Sequence, residues 1–244
     1  MIYQERRSRL LKGLAARGLS EGLALFPGNG ESPMNYLDNT YPFRQDSSFL
    51  YFFGLAVPGL AAAIDLGSGR ATLFADDASI DDIVWTGPLP SAAELAALAG
   101  ADEARPRAGL AAFAGAAAAA GRLHFLPCYR EDTRRELAEL LAAPAAAVDG
   151  RASLPLLRAA LELRELKGAE EVAELETAVA TSVAMHRAAL DFARPGQRES
   201  DVAARVTEVA LAANGALAFP VIATTRGATL HNHDHGGRLE EGSL

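Results

Sequence analysis

Apolar runs of four or five residues, each closed by glycine or proline and separated by stretches of helical periodicity, fill the first half of the chain. Gly22-Leu23-Ala24-Leu25-Phe26 ends at Pro27-Gly28 and reads as a buried strand. Phe49-Leu50-Tyr51-Phe52-Phe53, closed by Gly54, reads as a second strand because aromatic residues favour extended backbone. Ile64 and Leu66 lead into Gly67-Ser68-Gly69, with Thr72 and Phe74 beyond, which is the pattern of a hairpin. Arg122-Leu123-His124-Phe125-Leu126 reads as a further strand stopped by Pro127. Between these runs, Leu10, Leu11 and Leu14 give one apolar face to an opening helix that ends near Gly18. Ser91-Ala92-Ala93-Glu94 fits a capping box, and Thr133-Arg134-Arg135-Glu136 suggests another. Helices alternating with strands bury their apolar faces in layers, so this half is predicted to be an α/β layered domain.

Past Pro144 the texture changes. Residues 145–157 read as a weakly patterned connector containing Pro155, and the domain boundary is placed near Gly150, giving domains 1–150 and 151–244. From Ala169, Val172, Leu175, Val179, Val183, His186 and Leu190 recur at spacings of three and four, which predicts a long helix broken by Arg194-Pro195-Gly196. A second helix carries Val202, Val206, Val209 and Ala213, with Glu199 and Asp201 in its first turn, where the helix dipole favours acids. It stops at Asn214-Gly215. Phe219-Pro220-Val221-Ile222-Ala223 reads as an edge strand or loop. Two such helices open an α+β domain. One ending at Leu244 has too little sheet to cover them, the pattern expected of a domain cut short.

The net charge of −8 argues against a nucleic-acid surface, where a basic stripe is expected. Arg6-Arg7 is read instead as the solvated face of the first helix. Cys128 is the only cysteine, which suits a reducing cytoplasm. The N-terminal residues carry no apolar run of the secretory kind, and the uncharged stretch 108–121 is too short to span a bilayer. No membrane partner is expected.

Three of the five histidines, His231, His233 and His235, alternate within Thr229-Leu230-His231-Asn232-His233-Asp234-His235. On an extended strand they share one face. The cluster is either a metal or proton-handling site or a polar turn. Three imidazoles plus water are the makings of a catalytic zinc site, but the following Gly236-Gly237 suggests a flexible loop. Elsewhere, His186 on its apolar stripe reads as a core or interface histidine, and Gly28-Asn29-Gly30 lacks the third glycine of a dinucleotide fingerprint. The pairs Asp76-Asp77 and Asp81-Asp82 read as solvated loop acids, and neither Ser47 nor Ser48 has the pattern of a nucleophile.

Several segments, in order, resemble the aminopeptidase P, prolidase and creatinase family. Phe43-Arg44-Gln45-Asp46-Ser47-Ser48-Phe49-Leu50-Tyr51-Phe52-Phe53-Gly54 resembles the signature of the aminopeptidase P N-terminal domain, and Trp85-Thr86-Gly87 matches its Trp-x-Gly segment. Leu163-Arg164-Glu165-Leu166-Lys167-Gly168-Ala169-Glu170-Glu171 resembles the entry to the first catalytic-domain helix. Arg194-Pro195-Gly196-Gln197-Arg198-Glu199 is similar to the family's Arg-Pro-Gly turn, with Arg198 where a small hydroxyl residue is more usual. Leu230-His231-Asn232-His233 resembles the loop of the active-site histidine, and Glu241-Gly242-Ser243-Leu244 the lead into the strand bearing the first metal ligand.

The resemblance implies an α/β N-terminal domain followed by the start of an α+β pita-bread catalytic domain. It implies a metallopeptidase that releases the residue preceding a proline from a peptide's N-terminus, using two divalent ions, often manganese. By position, the family's five ligands fall beyond Leu244, so no metal ligand and no bound ion are expected here, and residues 1–244 alone are expected to be inactive. His231 is carried over as the catalytic residue, hydrogen bonding near the substrate and steadying charge or protons, a role imidazole suits. Trp85 and His233 are carried over as substrate-binding residues, Trp85 at a pocket rim that a neighbouring subunit could own. An aromatic packing a hairpin against a helix is the alternative for Trp85. The competing functions are prolidase-like or creatinase-like hydrolysis on the same fold, and a non-catalytic module serving homo-oligomer contacts.

Overall fold

A single five-stranded sheet organises the front of the protein in the computed structural model, which describes residues 2–243. Its strands are β1 (Leu23–Pro27), β2 (Ala61–Asp65), β3 (Ala71–Phe74), β4 (Glu103–Arg105) and β5 (Leu123–Phe125), in the order β4-β3-β2-β1-β5. β2 is antiparallel to both β1 and β3, while β5 and β4 add parallel strands at the two edges. The hairpin read from Gly67-Ser68-Gly69 is the β2–β3 turn, where Asp65 Oδ1 accepts from the backbone N–H and hydroxyl of Ser68 at 2.7 Å each.

Both faces of this sheet are covered, which is why its strands read as continuous apolar runs. Ala24, Phe26, Ala62, Ile64 and Leu73 face one layer, built from α1 (Ile2–Ala15), α2 (Ser47–Phe53), α4 (Ala92–Ala99) and α7 (Leu154–Glu165). Leu23, Leu25, Ala61, Ala63 and Phe125 face the other, built from α5 (Leu110–Ala119) and α6 (Glu131–Leu140). The period of two along β1 and β2 sorts residues between the layers.

Four local features differ from the sequence expectation. The aromatic segment Phe49–Phe53 is not a strand but most of α2. Asp46 Oδ1 accepts from the backbone N–H groups of Ser48 and Phe49 at 2.8 and 2.9 Å, and Gly54 closes the helix at φ 73°. In a helix, Phe49, Phe52 and Phe53 fall on one face at i, i+3 and i+4, and all three are fully buried. Arg6 and Arg7 are not solvated. Arg6 donates to the Tyr51 carbonyl at 3.1 Å and lies 4.1 Å over the Tyr51 ring, while Arg7 donates to the carbonyls of Phe52, Ala99 and Gly100. They cap the C-terminal ends of α2 and α4, where carbonyls lack helical partners. Thr133 does not open a helix, because α6 already starts at Glu131 with Glu131 and Asp132 in its first turn. The supposed connector holds α7, with Ser153 as cap and Pro155 in the first turn.

Helix α7 also explains where the chain divides. Its Leu156, Ala159 and Ala160 enter the same layer as Leu10 and Leu14 of α1, and the Tyr51 hydroxyl donates to the Leu163 carbonyl at 2.9 Å. The two compact units are therefore Met1–Leu166 and Lys167–Leu244, so the division lies beyond the boundary read near Gly150. It falls inside the segment that resembles the entry to the first catalytic-domain helix.

The second unit contains α8 (Ala169–Phe192) and α9 (Glu199–Ala212), packed against each other as the two predicted helices. Val172, Leu175, Val179, Val183 and Leu190 along α8 remain exposed, as does His186, so the apolar stripe of this helix is left uncovered by the described residues. Residues 219–223 form a loop. Among the described residues, no helix is long and apolar enough to cross a membrane.

Candidate active-site segment

The turn Arg194-Pro195-Gly196 aims the chain into α9 and simultaneously receives its own distant continuation. Gly196, at φ 90°, donates its N–H to the Leu239 carbonyl at 2.8 Å, and Leu239 N–H returns to the Gln197 carbonyl at 2.9 Å. Arg198 and Arg238 form an antiparallel bridge. Glu199 N–H then donates to the Gly237 carbonyl at 3.0 Å, and Ser200 N–H to the His235 carbonyl at 3.2 Å. At the α9 cap, the Asp201 carboxylate accepts from the Arg198 N–H at 2.8 Å, but arginine has no acceptor to return the bond. A small hydroxyl at this position would complete the reciprocal pair.

The histidine segment hangs from this junction as an irregular loop. Asn232 Nδ2 donates to Thr224 Oγ1 at 2.9 Å, Arg226 pairs with Asp234 at 2.8 Å, and His235 Nε2 lies 3.0 Å from the Val221 carbonyl. His231 and His233 are exposed, His235 is half-buried, and a turn occupies the residues up to His231. His231 lies in that turn, so the three histidines do not sit on one strand. Among the described residues no three His, Cys, Asp or Glu side chains are gathered to hold an ion. The donor set present therefore fits neither a three-histidine zinc site nor the pair of divalent ions implied by the resemblance.

Sequence reasoning gives Glu199 only the role of a dipole acid. It is 1% exposed, and its carboxylate accepts from Thr225 N–H at 2.7 Å, Thr225 Oγ1 at 3.0 Å, Thr224 Oγ1 at 3.2 Å and Gly237 N–H at 3.1 Å. The Thr225 amide, with the other donors around it, holds this carboxyl below its ordinary value despite burial. No local signal links Glu199 to Thr224, Thr225 and Gly237, because the pairing is made only when the chain returns.

In the first unit the signature residue Gln45 and the acidic pairs bind the backbone of neighbouring turns and helices. Gln45 is buried, its Oε1 accepting from Asn29 N–H at 2.6 Å and its Nε2 donating to the Val57 carbonyl at 2.7 Å. It locks the Gly28-Asn29 turn, and a Cβ on Gly28 would stand 2.6 Å from the Leu60 carbonyl oxygen. The signature Arg44-Gln45-Asp46 thus builds the turn and caps α2. Asp76 and Asp77 accept from the N–H groups of Arg107 and Ala92, and Asp82 completes a capping box with Ser79 on α3 (Ile80–Thr86). Among the described residues the His124 Nε2 is shut off from solvent with no hydrogen-bond partner, and burial lowers that imidazole's pKa. Trp85, on α3, is 87% exposed and packs no hairpin; Ile80, Val84 and Leu89 beside it are exposed as well.

Residues 3–123 match the family described as aminopeptidase P, N-terminal domain. A probable Xaa-Pro aminopeptidase of Metarhizium acridum is 28% identical over 218 residues, covering 88% of this chain and 42% of that protein. The aminopeptidase PepP of Pseudomonas aeruginosa superposes with a TM-score of 0.80 at 21% identity, over 98% of this chain and 57% of that one. A zinc-substituted Escherichia coli aminopeptidase P in complex with product superposes with a TM-score of 0.77 at 18% identity, over 99% of this chain and 56% of that one. The chain spans less than half the length of the Metarhizium acridum relative and little more than half of either solved structure.

Proposed function

From a chain whose residues 3–123 belong to the aminopeptidase P N-terminal domain family, and whose fold is that of aminopeptidase P, we propose the front portion of a metal-dependent Xaa-Pro aminopeptidase. The substrate is a peptide with proline in second position, and residues 167–244 open the catalytic domain. The observation that carries this reading is continuity. The likeness to aminopeptidase P runs on through α8, α9 and the histidine loop, well past the N-terminal domain.

Within this reading His231 hydrogen-bonds near the scissile bond and steadies charge or a proton as the tetrahedral species breaks down. Its exposure on a braced loop supports that role, and the neighbouring His233 contacts substrate. Two divalent ions, manganese by the resemblance, supply the activated water in the complete enzyme. The described residues do not assemble their ligands, so no step of the chemistry is assigned to them here. Purified 1–244 is accordingly expected to leave an Xaa-Pro peptide intact with manganese or zinc present. Chelator-sensitive release of the N-terminal residue would overturn this.

The exposed apolar surface of α3 favours a second reading, in which the first unit also serves homo-oligomer contacts and delivers Trp85 to a neighbouring subunit's pocket rim. Trp85→Ala is then expected to shift 1–244 toward monomer in sedimentation, without changing its unfolding midpoint, since the indole is 87% exposed. A wild-type chain that stays monomeric across a hundredfold range of concentration would remove the association role.

A further inference from the structure

Both ends of the histidine loop are tied to one buried carboxylate, and that arrangement has a mechanical consequence. We propose that Glu199 is the positioning residue for His231, holding the loop that carries it in a single conformation. The inference rests on the role proposed for His231.

Glu199 Oε1 accepts from the Thr225 N–H and the hydroxyls of Thr224 and Thr225, before the loop, while Oε2 accepts from the Gly237 N–H, after it. One side chain thus closes the loop, removing entropy that a free segment of this length keeps. The tie reaches the histidine through a short relay. The Thr224 hydroxyl donates to Glu199 and accepts from Asn232 Nδ2 at 2.9 Å, and Asn232 is the residue directly after His231. Thr224 Oγ1 also accepts from the Arg226 N–H at 3.1 Å, fixing the outgoing backbone.

Charge and space both specify this residue. Every neighbour of the carboxylate is a donor, so a carboxylate satisfies all of them and an amide cannot. A Cβ on Gly237 would lie 2.6 Å from Glu199 Cδ and Oε1, so a side chain there would push the carboxylate off its donors. Glu199 itself is enclosed and fully engaged, and acts through the loop with no contact to substrate.

Glu199→Gln tests the idea in the 1–244 chain by its histidine imidazole NMR signals and by amide exchange. The glutamine amide must face at least one donor, and the single Gly237 N–H is the cheaper clash. Gly237 exchange is expected to accelerate by about 10-fold or more. The His231 and His233 signals should shift or broaden, while those of His124 and His186 stay fixed. Gly237→Ala, which reaches the same contact from the opposite side, is expected to reproduce this pattern, and Glu199→Asp to restore part of the His231 line shape. Unchanged His231 signals in both Glu199→Gln and Gly237→Ala, with the fold retained, would overturn the proposal. A simultaneous change in all five histidines would overturn it equally, since that reports general unfolding. These readouts concern order in the loop alone, so they stand even if His231 proves to have no part in hydrolysis.

Discussion

Replacing Phe52 with alanine is expected to destabilise the first unit by about 3–5 kcal/mol, the full cost of emptying a buried aromatic site. Phe52 is fully buried, with its ring centroid 5.1 Å from that of Phe26 on β1 and 5.0 Å from that of Tyr51. Truncation removes the transfer free energy of the ring and leaves a cavity between α2 and the sheet. The neighbours cannot collapse into it, because α2 is fixed at both ends by the Asp46 cap and the left-handed Gly54. Urea unfolding followed by far-UV circular dichroism measures the loss. A change under about 1 kcal/mol would contradict the burial described, because that is the scale of a surface substitution. Phe52→Leu should recover much of the loss, since it restores most of the volume.

Arg7→Met is expected to cost about 3 kcal/mol, although the replacement is apolar and similar in length. Burial lowers the Arg7 pKa to about 10, so the side chain is still cationic at neutral pH and its desolvation works against folding. For an ordinary buried ion pair, an apolar replacement of both partners is often neutral. Here the partners are the backbone carbonyls of Phe52, Ala99 and Gly100, which no side-chain replacement removes. Methionine strands them at the ends of α2 and α4. Their unmet hydrogen bonds outweigh the recovered desolvation. Arg7→Lys should fall between, because one ammonium cannot reproduce the guanidinium fork that spans both helix ends. Thermal unfolding of the three proteins provides the test; methionine equal to wild type would show that the desolvation term dominates.

These two residues also show how far the fold is legible in the sequence. Phe49–Phe53 reads as a strand because composition and strand propensity agree, while the helix is decided by a cap at Asp46 and a left-handed glycine at Gly54. Both signals are present in the sequence, but a five-residue apolar run carries no period of its own to weigh against them. Arg6-Arg7 misleads for a different reason. Charged residues are solvated unless partners enclose them, and those partners lie 45 to 93 residues away. For the candidate site, the resemblance points to His231 by motif, and Arg-Pro-Gly is legible as a turn. Nothing local marks Glu199 as the point on which the loop is hung.

The sequence by itself determined the elements whose signals are short-ranged. These are the strands bounded by glycine and proline, the β2–β3 hairpin, the capped helix at Ser91, and the two long amphipathic helices broken at Arg194-Pro195-Gly196. In each, hydrogen bonding and periodicity close within a few residues. Only the tertiary structure decided which faces of the sheet each helix covers, that α7 belongs to the first unit, that two arginines are buried, and that three alternating histidines do not converge. Those outcomes depend on chain segments far apart in sequence, where a buried polar group is satisfied or stranded according to what returns to meet it. Glu199 meets Thr225 and Gly237 in this way, and no short sequence window contains all three.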